Sequence, residues 1–302
     1  MSSGFDARRF KAMERAGFNR IAGRYADGAH LRAELATALI DAAALAPGQR
    51  VLDLASGPGL LALEAAGRVS PNGLVLATDI AEGMLAEGAR RIDGSGIEDR
   101  GLGDRGVGDE GVADKGVDLL FAAADAEHLC LPDASIDRVL AGLALFMFPH
   151  PDRALAEIHR VLVPGGQVAL SVWGVRDTVP LISRAQDCIA RLLPPPKVPR
   201  PSVFRYGDAG VLEAMLVDAG FGQVRITPCD FSCCFDSAED YWQAFLDLAG
   251  GAAEALSRLP EPTRLALQAA VSADLEAHPR SDGKPGFCVP ARALVASAVR
   301  SG

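Results

Sequence analysis

Three carboxylates and two glycines stand at spacings that could hold a charged nucleoside. Asp53 lies inside the apolar run RVLDLA (50–55), and Gly57 and Gly59 follow in SGPG. Asp79 falls near the end of LVLATDI (74–80), and Asp125 sits in ADAEHLCLPD (124–133). Glycines between a strand and a helix let backbone N–H groups come close to a ligand. Gly57, Gly59 and Ala62 fit the G-x-G-x-x-G/A dinucleotide fingerprint, with Asp79 twenty residues past Gly59, where a ribose-binding acid belongs. A NAD(P)-dependent oxidoreductase is therefore one reading. A Walker phosphate loop is excluded, because no Gly-Lys-Ser/Thr follows. Asp53 argues against the dinucleotide: a carboxylate beside the turn repels a pyrophosphate and suits a ligand carrying an ammonium and a sulfonium. Asp125, at the tip of a third strand, can accept from an exocyclic amine.

These residues need a sheet to position them. Helical spacing over 5–46 ends at Pro47-Gly48, and a strand follows before the glycine turn. A helix over 59–69, a strand over 74–80 and a helix over 81–92 come next. Order resumes with a strand from 118, a strand over 137–146, a helix over 152–162, a turn at 164–166 and a strand over 167–174. The spacing then predicts helices over 180–193 and 207–221, a strand over 223–233, helical segments over 237–250 and 252–276, and a closing strand over 287–300. Strands alternating with helices predict an α/β fold with a mainly parallel sheet covered on both faces. Between Gly101 and Asp118 the chain repeats with a period of five, each unit pairing glycine with opposite charges. Such a segment cannot bury enough surface to offset its ordering entropy, so 93–117 is expected to be a flexible insertion.

Composition narrows the partners. Apolar residues make up 49% of the 302, and the net charge is −9, which argues against a nucleic-acid backbone as partner. No apolar run approaches the ~18 residues of a membrane span. The first residues, MSSGFDARRFKAMERAG, lack the apolar segment of a signal peptide, so a cytoplasmic location is expected. Six cysteines form no C-x-x-C pair and no zinc spacing, so no metal site is expected. Buried reduced thiols are the expected state, including the cluster Cys229, Cys233 and Cys234.

Taken together, VLDLASGPG, ATDIAEGML, AADAEHLCLPDASIDRV and EIHRVLVPGG resemble the class I S-adenosylmethionine-dependent methyltransferases. The likeness is greatest to the branch holding the ubiquinone/menaquinone-biosynthesis methyltransferases. It covers about 15–175 well and 205–230 more loosely. It implies a Rossmann-like seven-stranded sheet, mostly parallel with the last strand antiparallel, and S-adenosylmethionine as cofactor. It implies one domain over 1–302: a helical cap over 1–46, a cofactor-binding core over 47–175, and lid helices with closing strands over 176–302. It also implies roles for single residues. Gly57 and Gly59 admit the methionine moiety, and Asp53 helps to hold its amino group. Asp79 accepts from both ribose hydroxyls, and Ile80 and Met84 pack on the adenine. Asp125 accepts from the adenine amine, Ala126 donates a backbone N–H to the ring, and Ala141 lies near the methionine end. Ala55 departs from the family's first glycine, and its methyl group is expected to keep the backbone out of positive φ.

Methyl transfer is an in-line displacement at carbon, favoured by alignment and by exclusion of water. An O–H or activated C–H acceptor must also lose a proton, which calls for a base. His150, just past the fourth strand, is the first candidate, with capping of the next helix as its plain structural reading. Tyr25 and His30 in the helical cap come next, and Tyr206 and Asp230 after them. Phe146, Met147, Phe148 and Trp173 are candidates for an apolar acceptor pocket. The expected function is methyl transfer to a small, aromatic or apolar metabolite, with O- or C-methylation favoured. The alternatives are the oxidoreductase above and a non-catalytic S-adenosylmethionine-binding or scaffold protein. The expected partner is a small-molecule acceptor, with no nucleic acid and no membrane span, and a homodimer is compatible with the chain.

Overall fold

The structure is a computed structural model that describes residues 5–93, 118–195, 200–276, 279–280 and 283–301. The five-residue repeat lies outside the described residues, so the expectation for 93–117 rests on sequence alone. Seven strands form one sheet: β1 (Arg50–Leu54), β2 (Leu74–Asp79), β3 (Asp118–Ala123), β4 (Ile136–Gly142), β5 (Leu162–Trp173), β6 (Phe221–Phe235) and β7 (Phe287–Arg300). Their order is β3-β2-β1-β4-β5-β7-β6, with β7 antiparallel to both neighbours and the other pairings parallel. The expected α/β sheet with an antiparallel last strand is therefore present.

The central strands are apolar enough to be buried on both faces, as a parallel sheet under helices requires. Every residue of β1 after Arg50 is buried. Around the sheet lie α1 (Ala7–Asp27), α2 (Ala33–Ala42), α3 (Leu60–Val69), α4 (Glu82–Asp93) and α5 (Pro151–Val161). They are followed by α6 (Pro180–Leu192), α7 (Ala209–Asp218), α8 (Ala238–Leu248), α9 (Gly251–Ser257) and α10 (Glu261–Glu276). Local chemistry sets several helix ends. Asp6, Asp208 and Ser237 cap α1, α7 and α8 by accepting from Arg9, Val211 and Asp240 N–H groups. Pro151 opens α5 at its first turn, where a missing N–H is harmless.

Several boundaries differ from the sequence reading, three of them for a visible local reason. The helix expected over 252–276 is two, α9 and α10, because Pro260 precedes the second and interrupts the first. The strand expected to reach 146 stops at Gly142, where Leu143 takes φ 51° and turns the chain into a short 3-10 segment, Leu145–Met147. β5 starts at Leu162 rather than 167, because Leu162 pairs with Ile136 and the register then shifts across a bulge.

The cysteines also depart from expectation. Cys234 and Cys288 face each other across β6 and β7 and form a disulfide. They are 54 residues apart in sequence, so no local spacing announced the pair. Cys229, Cys233, Cys130 and Cys188 are free thiols.

Candidate active site

Strand order reverses between β1 and β4, and ligands bind outside the carboxyl ends of strands at such a switch point. A cleft lies there. β1 leads into its wall through Ala55 and Gly57, β2 through Asp79 and Ile80, β3 through Ala124, Asp125 and Ala126, and β4 through Gly142 and Leu143. The opposite wall is α1, which contributes Phe10, Lys11, Glu14, Phe18 and Tyr25.

The glycine turn has the backbone the sequence suggested, with one correction. Gly57 and Gly59 take φ 57° and 74°, and Ala55 takes φ 54°. Ala55 was expected to avoid positive φ and does not; it keeps the turn the family builds with glycine, at a cost of roughly 1 kcal/mol for its Cβ. A Cβ at Gly59 would stand 2.7 Å from the Phe121 ring, so only glycine fits there. The turn is tied to β2: Ser56 N–H donates to the Thr78 carbonyl at 2.9 Å, and Gly57 N–H donates to Asp79 Oδ2 at 2.9 Å.

Asp53 pairs in register with Ala77 of β2 and Leu140 of β4, which places it deep in the sheet. It is fully buried behind the cavity lining, and neither carboxylate oxygen has a hydrogen-bond partner at ordinary geometry. Burial pushes its carboxyl up to about 8, opposed in part by the Ala62 backbone N–H and helped by the Asp79 charge. Asp79 is also raised by burial, against the backbone N–H groups of Ala81, Gly57 and Ile80. Its Oδ1 accepts from Ala81 N–H at 2.8 Å, which ties the turn before α4 while the carboxylate lines the cavity. Two accepted bonds leave an ionised carboxylate lone pairs for further donors.

Asp125 is not open on all sides. Lys11 Nζ donates to both of its oxygens, at 2.9 and 2.7 Å, and to Glu127 Oε2 at 2.7 Å. Glu127 is buried and also accepts from His150 N–H at 2.9 Å. The loop carrying Asp125 is held from below by α5. Glu157 accepts from Leu129 N–H at 2.7 Å, and Arg160 donates to the carbonyls of Leu129 and Leu131. The same guanidinium lowers the Glu157 carboxyl.

The remaining expected residues divide. Ile80, Met84, Ala126 and Tyr25 line the cavity. Ala141 is buried in β4 one residue short of it, with Gly142 at the wall. His150 is the residue before α5, with its backbone N–H on Glu127, and the lining ends at Pro149. His30 is exposed with Nδ1 3.1 Å from the Asp27 carbonyl, and it does not line the cavity. Tyr206 and Asp230 are likewise outside the lining, Asp230 being paired with Arg292. Met147 and Phe148 reach the cavity, whereas Phe146 and Trp173 fill the core. No group of three or more His, Cys, Asp or Glu residues suited to a metal occurs among the described residues.

Sequence reasoning missed Phe10, Lys11, Glu14, Phe18 and Glu127. The signal was present in part: Phe10, Glu14 and Phe18 recur every four residues and so share one helix face. Nothing in that spacing says whether the face meets core or ligand.

The model of the methyltransferase domain family matches residues 52–170. A ubiquinone/menaquinone biosynthesis C-methyltransferase UbiE from Bordetella parapertussis is 40% identical over 129 residues, covering 43% of this chain and 42% of that protein. The chain thus matches less than half the length of that relative. A UbiE from Pseudomonas putida is 32% identical over 197 residues, 61% of this chain and 70% of the relative. In fold, the chain resembles a Haemonchus contortus phosphoethanolamine N-methyltransferase solved with S-adenosyl-L-methionine. There the TM-score is 0.51 at 17% identity, over 89% of this chain and 52% of that one. The chain belongs to the class I S-adenosylmethionine-dependent methyltransferases, and within them to the UbiE-like branch.

The cofactor of that family is S-adenosylmethionine, and the residues present suit it. Asp79 and Asp125 line the cavity beside the positive-φ residues Ala55 and Gly57, and carboxylates there can accept from the hydroxyls and the amine of a nucleoside. Asp53, buried behind that lining without a partner, keeps its proton up to about pH 8 and becomes a counter-charge where a cation is bound nearby.

Proposed function

We propose that the chain transfers a methyl group from S-adenosylmethionine to a small, largely apolar or aromatic acceptor bearing a ring hydroxyl, at oxygen or at the adjoining ring carbon. The observation that carries this reading is one cavity whose lining combines two chemistries. Asp79, Asp125 and the glycine turn contribute polar groups, while Phe10, Phe18, Leu143, Met147 and Phe148 contribute apolar surface. When bound, S-adenosylmethionine supplies an electrophilic methyl group on a sulfur that is already a good leaving group. Asp79 orients the ribose hydroxyls, and Ile80 and Met84 pack on the adenine. Asp125 shares its oxygens between the adenine amine and Lys11, and Asp53 balances the ammonium. Helix α1 covers the cleft and excludes water, which is much of what a displacement at carbon needs.

Helix α1 is fastened for that task. Arg15 pairs with Glu82 at 2.7 Å, Asn19 accepts from Gly83 N–H at 2.8 Å, and Arg91 reaches Asp27 at 2.7 Å. Two residues of the region expected to hold the lid helices, Arg200 and Asp247, also fasten α1. Arg200 pairs with Glu14, and Arg24 pairs with Asp247 at 2.7 Å. Incubation with methyl-labelled S-adenosylmethionine and a panel of phenols, hydroquinols and amines tests the proposal. Label is expected in phenols or hydroquinols; transfer to amines alone would overturn it.

A further inference from the structure

Five titratable side chains line the cavity among the described residues: Lys11, Glu14, Tyr25, Asp79 and Asp125. Asp79 and Asp125 belong to the donor motifs, Lys11 is bound to Asp125 and Glu127, and the Arg32 guanidinium stacks on the Tyr25 ring at 4.3 Å. Glu14, the fifth, pairs with Arg200. It sits on α1 one turn from Phe10 and one turn from Phe18, so the cavity wall reads aromatic, carboxylate, aromatic.

A carboxylate is an expensive choice at that position. Glu14 is only 5% exposed, and burying it between two phenyl rings costs free energy unless charge balances it. The balance comes from outside the cofactor core. Arg200 Nη2 donates to Glu14 Oε1, and its guanidinium carbon lies 6.0 Å from the Phe10 ring centroid. Room for the other oxygen comes from Gly250: a Cβ there would stand 3.0 Å from Glu14 Oε2 and 2.7 Å from the Phe18 ring. Three separate segments therefore converge to keep one carboxylate in the cavity wall between Phe10 and Phe18.

We propose that Glu14 is the catalytic residue that takes the proton from the acceptor's ring hydroxyl. The inference rests on the methyl transfer proposed above. Glu14 accepts the O–H proton on a carboxylate oxygen. The electron pair left behind forms the new bond to the methyl carbon, from oxygen or from the ring carbon beside it, while the carbon–sulfur bond breaks and sulfur keeps its pair. After bonding at carbon, the ring hydrogen leaves as a proton to water. Arg200 supplies the neighbouring positive charge and orients the carboxylate as a positioning residue.

The test uses the full chain saturated with S-adenosylhomocysteine and para-nitrophenol as probe, since its phenolate form alone absorbs in the visible. Near the probe's own pKa, wild type is expected to bind the neutral phenol through a charge-assisted hydrogen bond, so binding bleaches the phenolate colour. Glu14→Gln is expected to bind about tenfold more weakly and without bleaching. Glu14→Asp, which keeps the carboxylate, is expected to retain bleaching at reduced affinity. Unchanged S-adenosylhomocysteine affinity in the variants shows that they are folded. Equal bleaching by wild type and Glu14→Gln, or none by wild type, overturns the assignment of Glu14. Failure of wild type to bind S-adenosylhomocysteine overturns instead the reading on which it rests.

Discussion

Asp53 concentrates the residue-scale argument, because its burial couples proton binding to stability. Its carboxyl is raised to about 8 in the fold, while the unfolded chain releases that proton near the ordinary carboxylate value of ~4. The native state thus holds a proton that the unfolded state has lost. The contribution is complete below ~4 and is lost as pH rises through about 8, with a slope of up to ~1.4 kcal/mol per pH unit. Denaturant titrations across this window are expected to show wild type losing stability relative to Asp53→Asn. A donor ammonium favours the ionised carboxylate, so S-adenosylmethionine binding below pH 8 should release a proton. Calorimetry in two buffers of different ionisation heat checks this: the heats should differ for wild type and converge for Asp53→Asn. Ala55 gives a simpler case. Its φ of 54° suits glycine, and Ala55→Gly is expected to stabilise by up to ~1 kcal/mol in urea melts. A loss of that size would show the turn to be relaxed with alanine.

At the scale of elements, α1 is both wall and cover, and its hold on the sheet edge runs through Lys11. Removing that ammonium leaves Glu127, 3% exposed, with only the His150 N–H. Lys11→Met is expected to cost roughly 1–3 kcal/mol in stability. It should also make α1 more open to proteolysis in the ligand-free protein, with S-adenosylhomocysteine restoring protection. A second element-scale prediction concerns β6 and β7. The Cys234–Cys288 link closes a separation of 54 residues; chain entropy sets about 4 kcal/mol as the ceiling for such a loop, and bridges typically deliver about 2–4 kcal/mol. Cys288→Ser should lower stability by that amount, and added reductant should lower wild type equally while leaving the variant unchanged.

For the molecule as a whole, much of the layout was legible in the chain. Periodicity changes from strand to helix around Gly57 and Gly59, and the acids Asp53, Asp79 and Asp125 mark the carboxyl ends of three strands. Those features located the sheet, its switch point and the strand side of the cavity. The wall made by α1 was less legible, for reasons of physics. A four-residue spacing shows that Phe10, Glu14 and Phe18 share a face but not what that face meets. The pairing of Arg200 with Glu14 bridges 186 residues, and no local pattern encodes such a contact. The place of His150 after β4 makes it a candidate base by sequence; in the fold its backbone N–H donates to Glu127 and it lies outside the cavity lining. Cys234 and Cys288 escaped notice because strand pairing, not spacing, brings them together. No helix among the described residues is long and apolar enough to cross a membrane.

The central claim is that Asp53, Asp79 and the glycine turn form a seat for a cationic nucleoside donor rather than a dinucleotide. Isothermal calorimetry of the intact chain with S-adenosylmethionine and, separately, with NAD tests it most directly. Saturable one-to-one binding of S-adenosylmethionine, weakened by Asp79→Ala, with no heat from NAD, is the predicted result. Saturable heat from NAD, with none from S-adenosylmethionine, would contradict it.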